Sequence, residues 1–67
     1  MRTVEVRLDS AEAVSVLQEM YLWLDARGIA PSAFASAEVA GDVVVRTEFR
    51  ADAEAEAFAD RFAGRMR

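Results

Sequence analysis

The chain has 67 residues and a net charge of −4; it contains no Cys, His or Lys, and all eight of its basic residues are Arg. That length fits a single domain over residues 1–67 with a thin core, since a chain of this size buries only about 60% of the surface its unfolded form exposes. The missing residue types exclude disulfides, thiolate and imidazole metal sites, Ser-His and Cys-His nucleophiles, Schiff-base amines and a P-loop lysine.

An acidic balance, with a pI near 4.6, argues against nucleic acid as a partner. There is no apolar run of about 20 residues and no charged-then-apolar leader, so the expectation is a cytoplasmic chain without a membrane segment. Hydrophobic residues make up 54% of the sequence, but many are alanines, and the set of bulky core residues is modest. A small core of this kind is commonly supplemented by disulfides, metals or association. Only association is open here.

Arg2 to Leu8, "RTVEVRL", alternates Val4, Val6 and Leu8 with Thr3, Glu5 and Arg7, the period of two of a half-buried strand. "DSAE" follows, in which Asp9 can cap a helix and Glu12 can complete a capping box. A helix is predicted over Ala11–Arg27. Gly28 suits the left-handed position after it, Ile29 the apolar contact beyond, and Pro31 blocks continuation.

At about 100° per residue, Val14, Leu17, Tyr21 and Leu24 form one stripe, the expected core face. Val16, Met20 and Trp23 widen the apolar arc to roughly half the circumference, more than one sheet contact requires. Two readings of that flank stand side by side. The second helix packs over it, or it is a partner surface, where Trp and Met are over-represented, and the two can coexist. Leu22 stands alone among polar neighbours and needs no explanation.

Residues 32–50 read as a hairpin turning at Gly41-Asp42. Val43, Val45, Thr47 and Phe49, with Phe34 and Ser36, are predicted to face the helices. Val44, Arg46, Glu48 and Arg50, with Ala33, Ala35, Ala37 and Val39, take the opposite face. A second helix starts at Asp52, with Glu54 and Glu56 near its positive end and Arg61, Arg65 and Arg67 near its negative end. Ala55, Phe58, Ala59, Phe62 and Met66 form its apolar stripe, and Gly64 marks its end.

The resulting order is β-α-β-β-α. A right-handed crossover leaves room for the third strand between the first two, giving a three-stranded antiparallel sheet ordered 1-3-2 with both helices on one face. This order resembles the ferredoxin-like plan of ACT-type domains with the last strand missing. The resemblance is one of element order, and no motif carries it. It implies an alternative function, an ACT-like regulatory domain holding a small amino-acid-like ligand at a subunit interface.

Without a fourth strand the first one is a bare edge, which proteins cover, charge or pair. Two copies pairing antiparallel about Val6 set Glu5 opposite Arg7 and Val4 opposite Leu8, a self-complementary arrangement. The open sheet face, nearly free of large side chains on the second strand, is a further candidate surface. The carboxylates of Asp9, Glu12, Asp52, Glu54 and Glu56 sit at helix starts, where capping and the helix dipole account for them. The expected protein is therefore a small non-enzymatic interaction module, a homodimer with a further protein partner, without cofactor, metal or catalytic residue. Its candidate interface residues are Val4, Glu5, Val6, Arg7, Leu8, Val16, Met20 and Trp23.

Overall fold

A computed structural model describes residues 1–66; Arg67, read above as a charge near the end of the second helix, lies outside them. Six elements follow in order: β1 (Arg2–Asp9), α1 (Ala13–Ala26), β2 (Ala33–Val39), β3 (Asp42–Phe49), α2 (Asp52–Phe62) and β4 (Arg65–Met66). The four strands form one antiparallel sheet ordered β2-β3-β1-β4. Buried residues from both helices share a single core with one face of that sheet.

The expected three-stranded order is present as β1-β3-β2, and the fourth strand corrects it. Arg65 and Met66 pair with Glu5 and Val4, so β1 is not a bare edge along its whole length. A two-residue strand is too short for a period of two to register. Met66, assigned above to the stripe of the second helix, lies opposite Val4 and packs against the core. Gly64 is what allows this approach. A Cβ there would sit 2.6 Å from Val4 Cγ1 and 2.9 Å from Val6 Cγ2, two side chains fixed in the core. The helix itself ends one residue earlier, with Ala63 in the left-handed region at φ 54°.

In the hairpin, Ala40 and Gly41 both have positive φ, 52° and 84°, as a tight two-residue turn requires. The turn is one residue earlier than Gly41-Asp42, which shifts the register by two and leaves every side chain on its predicted face. Val45, Thr47 and Phe49 are buried, while Ala33, Ala35, Ala37 and Val39 lie on the open face.

Helix α1 begins two residues later than the capping pattern suggests. β1 runs through Asp9, which pairs with Asp42. The Asp9 carboxylate accepts a hydrogen bond from the Ala11 N–H at 3.1 Å, within the turn that precedes the helix. Glu12 takes the cap position without a side-chain cap bond. The far end of the helix forms as predicted. Ile29 N–H donates to Leu24 O at 2.9 Å and Gly28 N–H to Asp25 O at 3.1 Å, with Gly28 at φ 66°. This is the bonding of a Schellman end, closed by Ile29 against the core.

The core is led by Phe49, Phe58, Met20, Val4, Val6 and Val45, all essentially without exposure. Four aromatic rings tie its layers together. Phe58 meets Phe49 at 5.2 Å, Phe62 at 4.9 Å and Trp23 at 5.6 Å between ring centroids, and Trp23 also meets Phe62 at 6.1 Å. The α2 stripe of Ala55, Phe58, Ala59 and Phe62 is fully in the core. Thr47 is buried among these residues, and its Oγ1 has no hydrogen-bond partner among the described residues.

Two substitutions test these local arguments. Ala51 holds the α2 cap position in extended geometry without a capping side chain, so Ala51→Asp is expected to stabilise the protein by about 1 kcal/mol in denaturant unfolding. Gly64→Ala drives a methyl into Val4 and Val6 and is expected to destabilise it by about 1–3 kcal/mol.

Candidate interaction surface

Helix α1 presents a different stripe to the core than expected. Ala13, Met20 and Leu24 are its buried residues, whereas Val14 is 71% exposed and Tyr21 58% exposed. Relative to the predicted core face, the helix is turned by roughly 60°, taking 100° per residue. The cause is α2. Its Phe58 and Phe62 pull the Trp23 side of α1 inward, and the exposed Glu19–Arg61 pair at 3.6 Å spans the two helices above them.

Each expected interface residue can now be placed. Met20 is fully buried, and Val16 and Trp23 are partly buried against the core. The indole has the two α2 rings at its edge and the Arg27 guanidinium over its face, 4.5 Å from the ring centroid. Of the two readings of this flank, cover by the second helix accounts for the packing. On β1, Val4, Val6 and Leu8 face the core. Glu5 is bonded to Arg46 at 3.1 Å and Arg7 to Asp42 at 2.8 Å across the open face. β4 holds the backbone edge at Val4 and Glu5, two positions that a pairing of two copies about Val6 would need.

What α2 covers at one side of α1 it leaves open at the other. Val14, Tyr21 and Leu22 are the exposed large side chains of α1. Tyr21 leans over β2, its ring 5.0 Å from that of Phe34. Below it a groove runs between helix and sheet, lined by Ala13, Val14 and Leu17 on one side and Ser36, Glu38 and Val43 on the other. β2 forms its floor and is the least covered element of the fold. Only Phe34 along it is even partly buried.

Sequence reasoning missed this surface because it placed Val14 and Tyr21 in the core. A signal was present, however. Strand order 1-3-2 also makes the second strand an edge, and its Ala-Phe-Ala-Ser-Ala-Glu-Val has too little apolar volume to hold a helix above it.

Among the described residues no group of three or more His, Cys, Asp or Glu is close enough to hold a metal ion. No described helix is long and apolar enough to cross a membrane. Comparison of the chain with protein-family models, with curated proteins and with solved structures found no match.

The two faces of α1 should respond differently to truncation. Trp23→Ala is expected to lower unfolding free energy by about 2–3 kcal/mol, below the value for a fully buried ring. Tyr21→Ala should cost less than about 1 kcal/mol. Equilibrium unfolding in urea measures both.

Proposed function

We propose that this chain is a non-enzymatic interaction module on a ferredoxin-like plan, acting as a homodimer that presents a shaped surface to a protein partner. The observation that carries this reading is the uncovered flank formed by Val14 and Tyr21 of α1 above the nearly bare β2. An apolar flank beside an unpaired strand edge is the kind of surface that association removes from water. The plan is supported by the β-α-β-β-α-β order and the β2-β3-β1-β4 sheet, which match the split β-α-β arrangement. A non-enzymatic role is supported by the residue types. With neither imidazole, thiol nor amine side chains, acid-base work would fall to carboxylates or to the single phenol of Tyr21. Those of Asp52 and Glu54 lie in the first turn of α2, where they complement the dipole.

A second reading is favoured by the groove itself. Its apolar walls with Ser10, Ser36 and Glu38 at the rim offer an acceptor for an ammonium group, as an ACT-like regulatory domain would need for a small amino-acid-like ligand at a subunit interface.

Sedimentation velocity over a range up to tens of micromolar is expected to show a monomer passing into a dimer; a chain that stays monomeric throughout overturns the homodimer. Thermal-shift measurements with the twenty amino acids separate the two readings. An unchanged melting temperature agrees with the first, and a rise with any one of them transfers the assignment to the second.

A further inference from the structure

We propose that two copies of this chain join antiparallel along β2, about a two-fold axis at Ser36, to make one continuous sheet across both subunits. This rests on the homodimer reading above and names the surface that forms it.

The backbone sets the register. Val39 and Asp42 close a two-residue turn, and the closing pair of such a turn exchanges both of its backbone hydrogen bonds. By alternation, Ala33, Ala35, Ala37 and Val39 bond to β3. The N–H and C=O groups of Phe34, Ser36 and Glu38 then point to the free edge. Pairing about Ser36 uses all three, setting Ser36 opposite Ser36 and Phe34 opposite Glu38 in both directions. Moving the axis to Ala35 or Ala37 leaves one of the three without a mate inside the strand.

Charge and size agree with that register. Glu38 is the one charged residue of β2, and pairing about Ser36 sets it opposite Phe34, away from its own copy. β2 has no Pro and no Lys, and its single protecting charge, Glu38, points to the helix side of the sheet at one end of the strand, where it lines the groove beneath α1. The other side of the sheet differs. There β4 covers part of β1, and Arg7 and Asp9 charge what remains.

Side chains opposite one another share a face, so Ser36 facing Ser36 keeps both pairs of helices on one side of the joined sheet. The two α1 flanks then confront each other above the paired β2 strands. Val14 and Tyr21, both more than half exposed in one subunit, gain further cover from the other. This is how a two-fold contact buries one patch twice.

Single cysteines in this Cys-free chain report the register. Residues directly opposite in an antiparallel pair have Cα atoms about 4.5–5.5 Å apart, within the range a disulfide spans. The two Glu38 positions are offset by four residues, about 13 Å, and cannot be bridged. Under mild oxidation Ser36→Cys is expected to convert to a covalent dimer with its circular dichroism retained, and Glu38→Cys to remain uncrosslinked. Equal cross-linking at both positions, or none at Ser36→Cys, overturns the register. Ser36→Pro gives an independent check, since it removes an edge N–H while sparing the β3 ladder. It should sediment as a folded monomer where the unmodified chain is a dimer, and a Pro variant that still dimerises overturns the proposal. An unmodified chain that is monomeric throughout fails the homodimer reading itself, whereas a dimer with the wrong thiol pattern fails only the β2 assignment.

Discussion

Phe58 sits where three elements meet, and the remaining architecture follows from its contacts. Its ring touches Phe49 of β3, Phe62 one turn on in α2, and Trp23 of α1. That cluster clamps α2 beside α1 and both against the sheet. Aromatic edge contacts of this kind add about 0.5–1.5 kcal/mol each beyond the area they bury, a sizeable share of the few kcal/mol that hold a domain of this length. Two helices cannot cover four strands evenly. Drawn toward each other by the aromatic rings, they cover β1 and β3 and leave β2 with only Phe34 partly shielded.

The two sheet edges are accordingly unlike. At β1 the chain returns after α2, and Gly64 lets the backbone come close enough for Arg65 and Met66 to pair with Glu5 and Val4. This short strand adds little area, but it takes backbone groups that would otherwise seek a partner. Ion pairs from Glu5 to Arg46 and from Arg7 to Asp42 cover the open face nearby. Their arginine ends are exposed to solvent, so each contributes modestly to stability. β2 carries one charge, Glu38, at its far end. The surface most open to a partner is thus also the one on which the fold has placed its smallest side chains.

The charged residues Glu5, Arg7 and Arg65 line a recess at the β1–β4 side of the sheet, away from the apolar flank. Arg7, Arg46 and Arg61 pair with Asp42, Glu5 and Glu19, and Arg27 and Arg61 stack on Trp23 and Phe62. Thr47, whose buried hydroxyl has no partner among the described residues, lies between Val4 and Phe34 in the sheet. What distinguishes this molecule is the shape and apolarity of one flank.

Local chemistry determined most of the elements. Alternation in "RTVEVRL" marked the first strand and its inward Val4, Val6 and Leu8, and Gly28, Ile29 and Pro31 marked the end of the first helix, because these signals act within a few residues and need no tertiary help. Strand faces in the hairpin were legible for the same reason, even with the register shifted by two, since a shift of two preserves the pleat. Tertiary structure alone decided which side of α1 is buried. Its apolar arc spans more than one contact, so Met20 and Trp23 or Val14 and Tyr21 could equally have faced inward until α2 took its place beside them. It also decided the fourth strand. Two residues have no periodicity to read, and only the close approach permitted at Gly64, against Val4 and Val6, turns them into part of the sheet.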